Sequence, residues 1–282
     1  MCGVVGISGV DNAAQQAFLA MYALQHRGQE AGGIVSFDGT DAKVHKGAGL
    51  VSEIFDREAL AELPGDTAVG HVRYSTAGGG NLANVQPITA KYARGSLALA
   101  HNGNLTNHLV LRDRLVEEGA IFRSSSDSET LVHLIAKSRE DTIDEQVLDA
   151  LSHLEGAFSM VLAVDDTLYA ARDPRGFRPL VVGRKEGGVV VVSETCALDI
   201  LNAEYVRDVA PGEVLKIQNG EVTSLPSLKD APERAPCIFE LVYFARPDSS
   251  IWDASVDRAR RAFGRQLARE HPVEADAVMA VP

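Results

Sequence analysis

Short β-prone runs and amphipathic helical segments share the first 225 residues of the chain. The short runs are bounded by Gly, Asp or Asn, a pattern typical of strands. The strands that it predicts are Val4–Ser8, Ile34–Phe37, Thr67–Tyr74, Ser96–His101, Ser159–Val164, Thr167–Ala171, Val189–Ser193 and Glu213–Ile217. These strands come in groups, and the helical segments lie between the groups.

Three amphipathic segments predict helices. Ala13–Gln25 places five apolar side chains on one helical face, and Gly28 follows it as a stop signal. Ser128–Lys137 and Ile143–Leu154 are predicted helices too, with Asp127 as a plausible N-cap of the first. Because strands and helices are clustered, the order indicates layered sheets with helices outside them, rather than a strict βαβ alternation.

Residues 226–236 contain three prolines among charged and polar residues, which predicts a linker or surface loop. After it, the sequence predicts a β-prone run at Ile238–Phe244, a helix from about Asp253 to Glu270, and an apolar strand-like run at Asp276–Pro282. Because a buried strand is unusual at a C-terminus, we interpret this segment as the start of a second α/β domain.

The composition is that of an ordinary soluble protein, with 45% hydrophobic and 23% charged residues. The 39 acidic residues outnumber the 27 basic ones and give a net charge of −12, which disfavours nucleic acid and anionic membranes as partners. We find neither a membrane-spanning apolar run nor a signal peptide. Three scattered cysteines do not make a disulfide framework, so we expect a cytoplasmic, reducing environment.

Cys2 follows the initiating Met1, and a small residue at this position normally leads to removal of the methionine. The exposed residue would then carry a thiol with a reference pKa of about 8.5 and an α-amine with a pKa near ~7.7–8.0. A nucleophile and a base would thus lie on one residue near neutral pH. An accident of the translation start is the simpler explanation when position alone is considered.

Four polar clusters each allow a functional and a purely structural interpretation. They span residues 24–30, 70–78, 99–105 and 124–129. The first ends a helix with charged residues and a glycine, as an ordinary helix stop does. In the second, Arg73 offers a planar guanidinium suited to a carboxylate, although a surface ion pair explains it equally well.

In the third cluster, Asn102 and the backbone N–H of Gly103 supply two donors that could hold a developing oxyanion. Asn-Gly is also an ordinary tight-turn signal. In the fourth, Asp127 could accept a ligand ammonium while it caps a helix. Glutamine has a carboxylate, an ammonium and a carboxamide. Arg73, Asp127 and the group formed by Cys2, Asn102 and Gly103 could each bind one of them.

Two sets of segments resemble known families. The first set resembles the class II glutamine amidotransferases, whose nucleophile is the N-terminal residue. Its segments are Met1–Ile7, Gln25–Glu30, Gly70–Gly78 and His101–Leu105. The second set resembles one family within that group, the amidophosphoribosyltransferases. Its segments are Gly70–Gly78, Ala171–Leu180, Ser193–Asp199 and Phe244–Ser249. The resemblance covers essentially the full chain. It implies an α+β protein with the four-layer αββα N-terminal-nucleophile hydrolase fold over residues 2–235.

The resemblance also implies roles for individual residues. Cys2 would be the nucleophile, and Asn102 with Gly103 would form the oxyanion hole. The residues implied to bind glutamine are Arg73 at its carboxylate, Asp127 at its amine, and Thr76, Arg27 and Gly28 around the pocket. The implied reaction releases ammonia from glutamine and passes it to phosphoribosyl pyrophosphate, giving 5-phosphoribosylamine in the first step of purine biosynthesis.

Residues 236–282 would be a linker and the truncated N-terminal part of a phosphoribosyltransferase domain. The phosphate-binding signature of that domain is not found in this sequence, so we expect the chain to carry only the glutaminase half. We expect no metal or cofactor within it. For the full-length protein the resemblance implies Mg²⁺, a homo-oligomer and, in some members, a [4Fe–4S] cluster with Cys237 as one ligand.

Two alternatives stay open at this point. The chain could be the glutaminase domain of another class II enzyme of the glucosamine-6-phosphate synthase type, although the segment Phe244–Ser249 speaks against a sugar isomerase partner. It could also be a non-catalytic module that keeps the fold.

Overall fold

A computed structural model describes residues 1–39, 41–74, 82–228 and 233–279 of the chain. Its strands are β1 Gly3–Ser8, β2 Ala31–Phe37, β3 Ala42–Ala48, β4 Thr67–Arg73, β5 Ile88–Tyr92, β6 Gly95–Leu105, β7 Gly156–Val164, β8 Thr167–Arg172, β9 Val181–Lys185, β10 Gly188–Val192, β11 Glu204–Asp208, β12 Val214–Gln218, β13 Glu221–Ser224, β14 Ser250–Ile251 and β15 Ala254–Ser255. Its α-helices are α1 Ala13–Ala23, α2 Val51–Ile54, α3 Arg57–Ala61, α4 His108–Glu117, α5 Glu129–Lys137, α6 Ile143–Ser152, α7 Thr195–Leu201 and α8 Val256–Glu270. Single 3₁₀ turns lie at Gln25–Arg27 and Leu82–Asn84, and a π-helical turn lies at Glu240–Phe244.

Two antiparallel sheets form the centre of the molecule. The first has seven strands in the order β11-β9-β10-β1-β4-β2-β3, and the second has six in the order β13-β12-β8-β7-β6-β5. Strand β1 lies between β10 and β4, so that Val5 is opposite both Val192 and Gly70. Strands β14 and β15 form a separate hairpin. The start of the chain is therefore held on both sides inside the first sheet.

Strand alternation directs successive side chains of β1 to different layers. Val5 and Ile7 pack in a core that includes α1 and α7, whereas Val4 packs in a second core between the two sheets. Gly6 shares the inward face with Val4, and a Cβ there would come within 2.7 Å of Val161 on the facing sheet. The sheets can approach closely because this position is glycine.

A third core lies between the second sheet and helices α4, α5 and α6. The layers therefore run helices, sheet, sheet, helices, and the predicted α+β αββα fold is confirmed. Every strand and helix predicted within the first 225 residues is present, with ends that shift by a few residues. Several elements were not predicted, among them α4, α7 and the edge strand β3. The residues of β3 are partly exposed and largely polar, so they give little periodic signal.

Three local predictions were wrong, and one structural alternative is excluded. Asn102-Gly103 is not a turn but part of β6. Asp127 does not cap α5, because Ser128 is its N-cap and the Asp127 carboxylate instead accepts from the backbone N–H of Leu105 at 2.9 Å. Ile238–Phe244 contains a π-helical turn rather than a strand, and no described strand pairs with it. The described part of the run at 276–282, up to residue 279, is exposed and is not a strand.

Candidate active site

Cys2 immediately precedes β1 and lines a cavity of about 80 Å³. The cavity lies where the ends of β4 and β6 meet the loop before α5. Its other lining residues are Arg73, Tyr74, Asn84, Gln86, His101, Gly103, Asn104, His108, Ser125, Ser126 and Asp127. Four of the predicted site residues, Cys2, Arg73, Gly103 and Asp127, are thus brought together from distant parts of the sequence.

The thiol of Cys2 is 3.7 Å from the carbonyl oxygen of Tyr74. Burial raises the pKa of this thiol, while the positive charges of the N-terminus, Arg27 and Arg73 act against that rise. With Met1 attached, Cys2 is therefore a protonated thiol at neutral pH. The nitrogen of Cys2 is an amide in this form and offers no base.

Arg27 binds the backbone of Cys2 and is itself held by two buried carboxylates. Its Nε donates to the Cys2 carbonyl oxygen at 2.9 Å, and its two terminal nitrogens each donate to one Glu240 oxygen at 2.9 Å. It also pairs with Glu194. The side chains of Arg27, Glu194 and Glu240 are completely buried.

The charges in this cluster stabilise one another. Burial alone would raise the pKa of Glu194, but Arg27 and His26 lower it well below its usual range. Burial lowers the pKa of Arg27, and Glu240 and Glu194 more than offset that effect. Arg27 is bound to protein groups and does not line the cavity. Its contacts within the described residues hold Cys2 in place, and the glutamine contact that the resemblance implies for it stays a prediction.

Gly28 supports Arg73. A Cβ at position 28 would come within 2.5 Å of the backbone carbonyl carbon of Arg73, so only glycine fits. Gly28 has φ −167°, which is ordinary extended backbone, so the close approach rather than its conformation requires glycine. The end of β4, and with it the guanidinium of Arg73, is thus positioned by contact with the turn at residue 28.

Opposite charges face the cavity from the two sheets. Arg73 is buried at the end of β4 in the first sheet, and Asp127 lies against β6 in the second. One oxygen of Asp127 accepts from Leu105 N, and the other accepts from the hydroxyl of Ser128 at 3.2 Å. A cation and an anion on two sides of one cavity suit the carboxylate and ammonium of an amino acid.

Asn102 is fully buried in β6, and neither its side-chain nitrogen nor its side-chain oxygen has a hydrogen-bond partner within the described residues. A buried polar group without a partner costs about 1–3 kcal/mol. An amide kept at such a cost beside Gly103, which lines the cavity, is consistent with a group that binds only a ligand or a reaction intermediate.

Some supporting residues were missed from the sequence. His101 is buried under the cavity with Nδ1 2.8 Å from the hydroxyl of Ser128, and burial lowers its pKa although Asp127 opposes this. Glu194 and Glu240 were not predicted either. For Glu240, the signal available in the sequence was its position as a single carboxylate inside the apolar run Ile238–Phe244. Such a residue is rarely buried unless its charge is paired.

Several further predictions concern residues or features that are not in the cavity around Cys2. Thr76 lies outside the described residues. In the part of the chain that the structure describes, no three His, Cys, Asp or Glu side chains are grouped so as to hold a metal ion. Cys237 is half-buried, and Cys196 is buried. Among the described helices, none is long and apolar enough to span a membrane.

Comparison with known proteins identifies relatives of the whole chain. Residues 71–199 match a family model described as a glutamine amidotransferase domain. The chain is 50% identical over 283 residues to amidophosphoribosyltransferase 2, chloroplastic, of Arabidopsis thaliana, covering 100% of this chain and 50% of that protein. It is 45% identical to the amidophosphoribosyltransferase of Bacillus subtilis, covering 100% of this chain and 59% of that protein.

Solved structures agree with the sequence comparison. The glutamine phosphoribosylpyrophosphate amidotransferase of B. subtilis, complexed with ADP and GMP, superposes with a TM-score of 0.92 at 43% identity, covering 98% of this chain and 60% of that one. The chain thus spans between half and six-tenths of the length of these relatives. The resemblance predicted from the sequence motifs is confirmed.

Proposed function

Because this chain carries a glutamine amidotransferase domain and is related over its whole length to amidophosphoribosyltransferases, we propose that it hydrolyses glutamine as the glutaminase part of such an enzyme. In the complete protein, the released ammonia would displace pyrophosphate from phosphoribosyl pyrophosphate and give 5-phosphoribosylamine. The names of the relatives, of whose length this chain spans between half and six-tenths, support this second step.

The observation that carries the proposal is the meeting of Cys2, Arg73 and Asp127 in one cavity beside the unpartnered amide of Asn102. Arg73 would bind the α-carboxylate of glutamine, and Asp127 its α-ammonium. The carboxamide would then point to Cys2. Asn102 and the N–H of Gly103 would stabilise the tetrahedral oxyanion, a contribution whose loss typically costs ~10²–10³ in rate.

The reaction requires that Met1 be removed. The α-amine of Cys2 then accepts the thiol proton, directly or through water, and the thiolate attacks the carboxamide carbon. As the tetrahedral intermediate collapses, the C–N bond breaks and the protonated amine gives its proton to the departing ammonia. Water next attacks the γ-glutamyl thioester, with the amine as base, and releases glutamate and the thiol.

A Cys2→Ser variant tests this assignment. We expect it to lose glutaminase activity, because a hydroxyl is a far weaker nucleophile than a thiolate near neutral pH. Glutamate release is measured alongside the intact mass, which reports whether Met1 is present. A glutamine-like electrophile should add one label to Cys2 in the wild type. Cys237→Ser is the matched control, since Cys237 does not line the cavity.

Full activity in Cys2→Ser, or full activity in protein that retains Met1, would contradict the proposal. Correctly processed, folded protein with neither activity nor labelling would favour a non-catalytic module instead. The domain boundary near residue 235, the cytoplasmic location, the homo-oligomer, Mg²⁺ and the cluster ligand Cys237 stay predictions from the sequence.

A further inference from the structure

A second cavity, of about 320 Å³, lies apart from the one around Cys2 and shares no lining residue with it. It is bounded by the end of β8, the segment after β11 and the β14–β15 hairpin. Three arginines and two aspartates line it: Arg172, Arg175, Arg234, Asp208 and Asp253. This is the range of volumes in which small-molecule sites are found.

Arg172 brings a buried positive charge to the cavity wall, and its guanidinium forms no ion pair with the described residues. The residue is 3% exposed, and its two terminal nitrogens donate to the carbonyl oxygens of Val209 at 2.7 Å and Gly176 at 2.9 Å. Its Nε has no partner within the described residues. Burial lowers the pKa of Arg172, while the negative charges of Asp208 and Asp173 act against that fall.

Arg175 and Arg234 add charge that is also unpaired. Neither guanidinium forms an ion pair or a side-chain hydrogen bond with the described residues. The chain has 39 acidic residues against 27 basic ones, so carboxylates are plentiful elsewhere. The two aspartates of the lining leave a net positive charge. One of them, Asp208, already accepts a hydrogen bond from the Tyr205 hydroxyl at 3.0 Å.

Trp252 adds an unpartnered donor and a strained turn. It has φ 52° and the next residue, Asp253, has φ 61°, so both central residues of the hairpin turn are left-handed. Such turns are normally made by Asn, Asp or Gly, and a bulky side chain there is a genuine outlier that often marks a functional site. The buried indole N–H of Trp252 has no acceptor within the described residues.

We propose that this cavity binds a phosphate-bearing anion, held by the guanidinium groups of Arg175 and Arg234 over the buried charge of Arg172. Guanidinium groups match the geometry of phosphate oxygens, and an anion there would pair with guanidinium groups that form no ion pair with the described residues. The site is separate from the glutamine cavity and goes beyond the proposed function. A free phosphate and the phosphate of a larger metabolite share this chemistry.

Trp252 is the only tryptophan of the chain, so fluorescence excited at wavelengths that tyrosine does not absorb reports on this cavity. The whole chain is titrated with inorganic phosphate at constant ionic strength, and heat is measured in parallel by calorimetry. A nucleoside monophosphate forms a second arm that distinguishes a free phosphate site from that of a larger ligand. Arg234→Gln and Arg175→Gln test the site, and Arg94→Gln, an exposed arginine outside the lining, is the matched control.

We expect a saturable change with at least one of the two ligands. Each site variant should weaken it about tenfold or more, as loss of one charge-assisted contact predicts, and the control should leave it unchanged. Absence of saturable binding by both methods overturns the proposal. So does a response that chloride reproduces, or equal affinity in Arg234→Gln and Arg94→Gln. Circular dichroism of each variant ensures that a weaker response does not reflect unfolding.

Discussion

Replacing Glu240 with glutamine should damage both the stability and the catalytic rate of the protein. Glu240 binds both terminal nitrogens of Arg27, and both side chains are completely buried. Arg178 lies 3.5 Å from the same carboxylate. Glu240→Gln keeps the size of the side chain but leaves two cations beside a neutral amide.

The expected loss follows from this burial. Removing one partner of a buried ion pair typically costs about 3–5 kcal/mol, because the remaining charge is neither paired nor hydrated. Glutamine keeps one acceptor oxygen and Glu194 still contacts Arg27, so we expect the free energy of unfolding to fall by about 3 kcal/mol. Urea unfolding measures this quantity.

The catalytic effect should appear in kcat rather than in KM. Arg27 fixes the carbonyl of Cys2, whereas Arg73 and Asp127 line the proposed glutamine site. A small displacement of the nucleophile can cost about 10²-fold in rate. We therefore expect kcat for glutamine hydrolysis to fall about ten- to a hundredfold, with KM changed by less than about threefold.

Asp257→Asn is the matched control, because Asp257 also pairs with an arginine, Arg261, but on the exposed face of α8. Its loss should cost less than about 0.5 kcal/mol. Equal stability losses in the two variants would refute the reasoning from burial. An unchanged kcat in Glu240→Gln, with stability lowered as expected, would refute the link from Arg27 to Cys2.

Three further changes have defined outcomes. Gly28→Ala should raise KM for glutamine and lower the free energy of unfolding by about 1–3 kcal/mol, because the new Cβ meets the backbone of Arg73. Gly264→Ala is the control and should not destabilise α8, because there is open space around Gly264. Similar effects at both sites would contradict this prediction. Asp127→Asn should raise KM about tenfold or more through loss of a charged contact to the ammonium, and an unchanged KM would remove Asp127 from the site. His71 has its pKa lowered by burial from 6.5 to about 3, so the unfolded chain binds its proton more readily. Its contribution to stability is then complete above about pH 6.5 and is lost as the pH falls towards 3, by up to about 3 kcal/mol near pH 4. The urea concentration at the unfolding midpoint should fall less steeply with acidification in His71→Asn than in the wild type. Parallel plots of midpoint against pH for the two proteins would contradict this prediction.

Local sequence patterns predicted the parts of the fold that depend on local physics. The strand that follows Cys2, the helix at Ala13–Ala23 and the alternation that separates Val4 from Val5 all follow from periodicity. The contact between Arg27 and Glu240 does not, because 213 residues separate the two in sequence. Nothing near either residue indicates its partner.

The same limit applies to the predicted site. The resemblance implied that Arg27 lies at the glutamine pocket, but no local pattern indicated the carboxylates from distant segments with which it pairs. Asp127 was expected to cap a helix because of its position, yet a backbone N–H of β6 satisfies its carboxylate. At Asp127 a tertiary contact outweighs a local preference.

The distance between Arg27 and Glu240 along the chain also sets an order of events during synthesis. The ribosome completes the first residues early and adds residue 240 only after 213 further residues. At about 5–20 residues per second this takes roughly 10–40 s. Until then Arg27 lacks one of its two carboxylates, so Cys2 is present in the nascent chain well before the full set of contacts that holds its backbone.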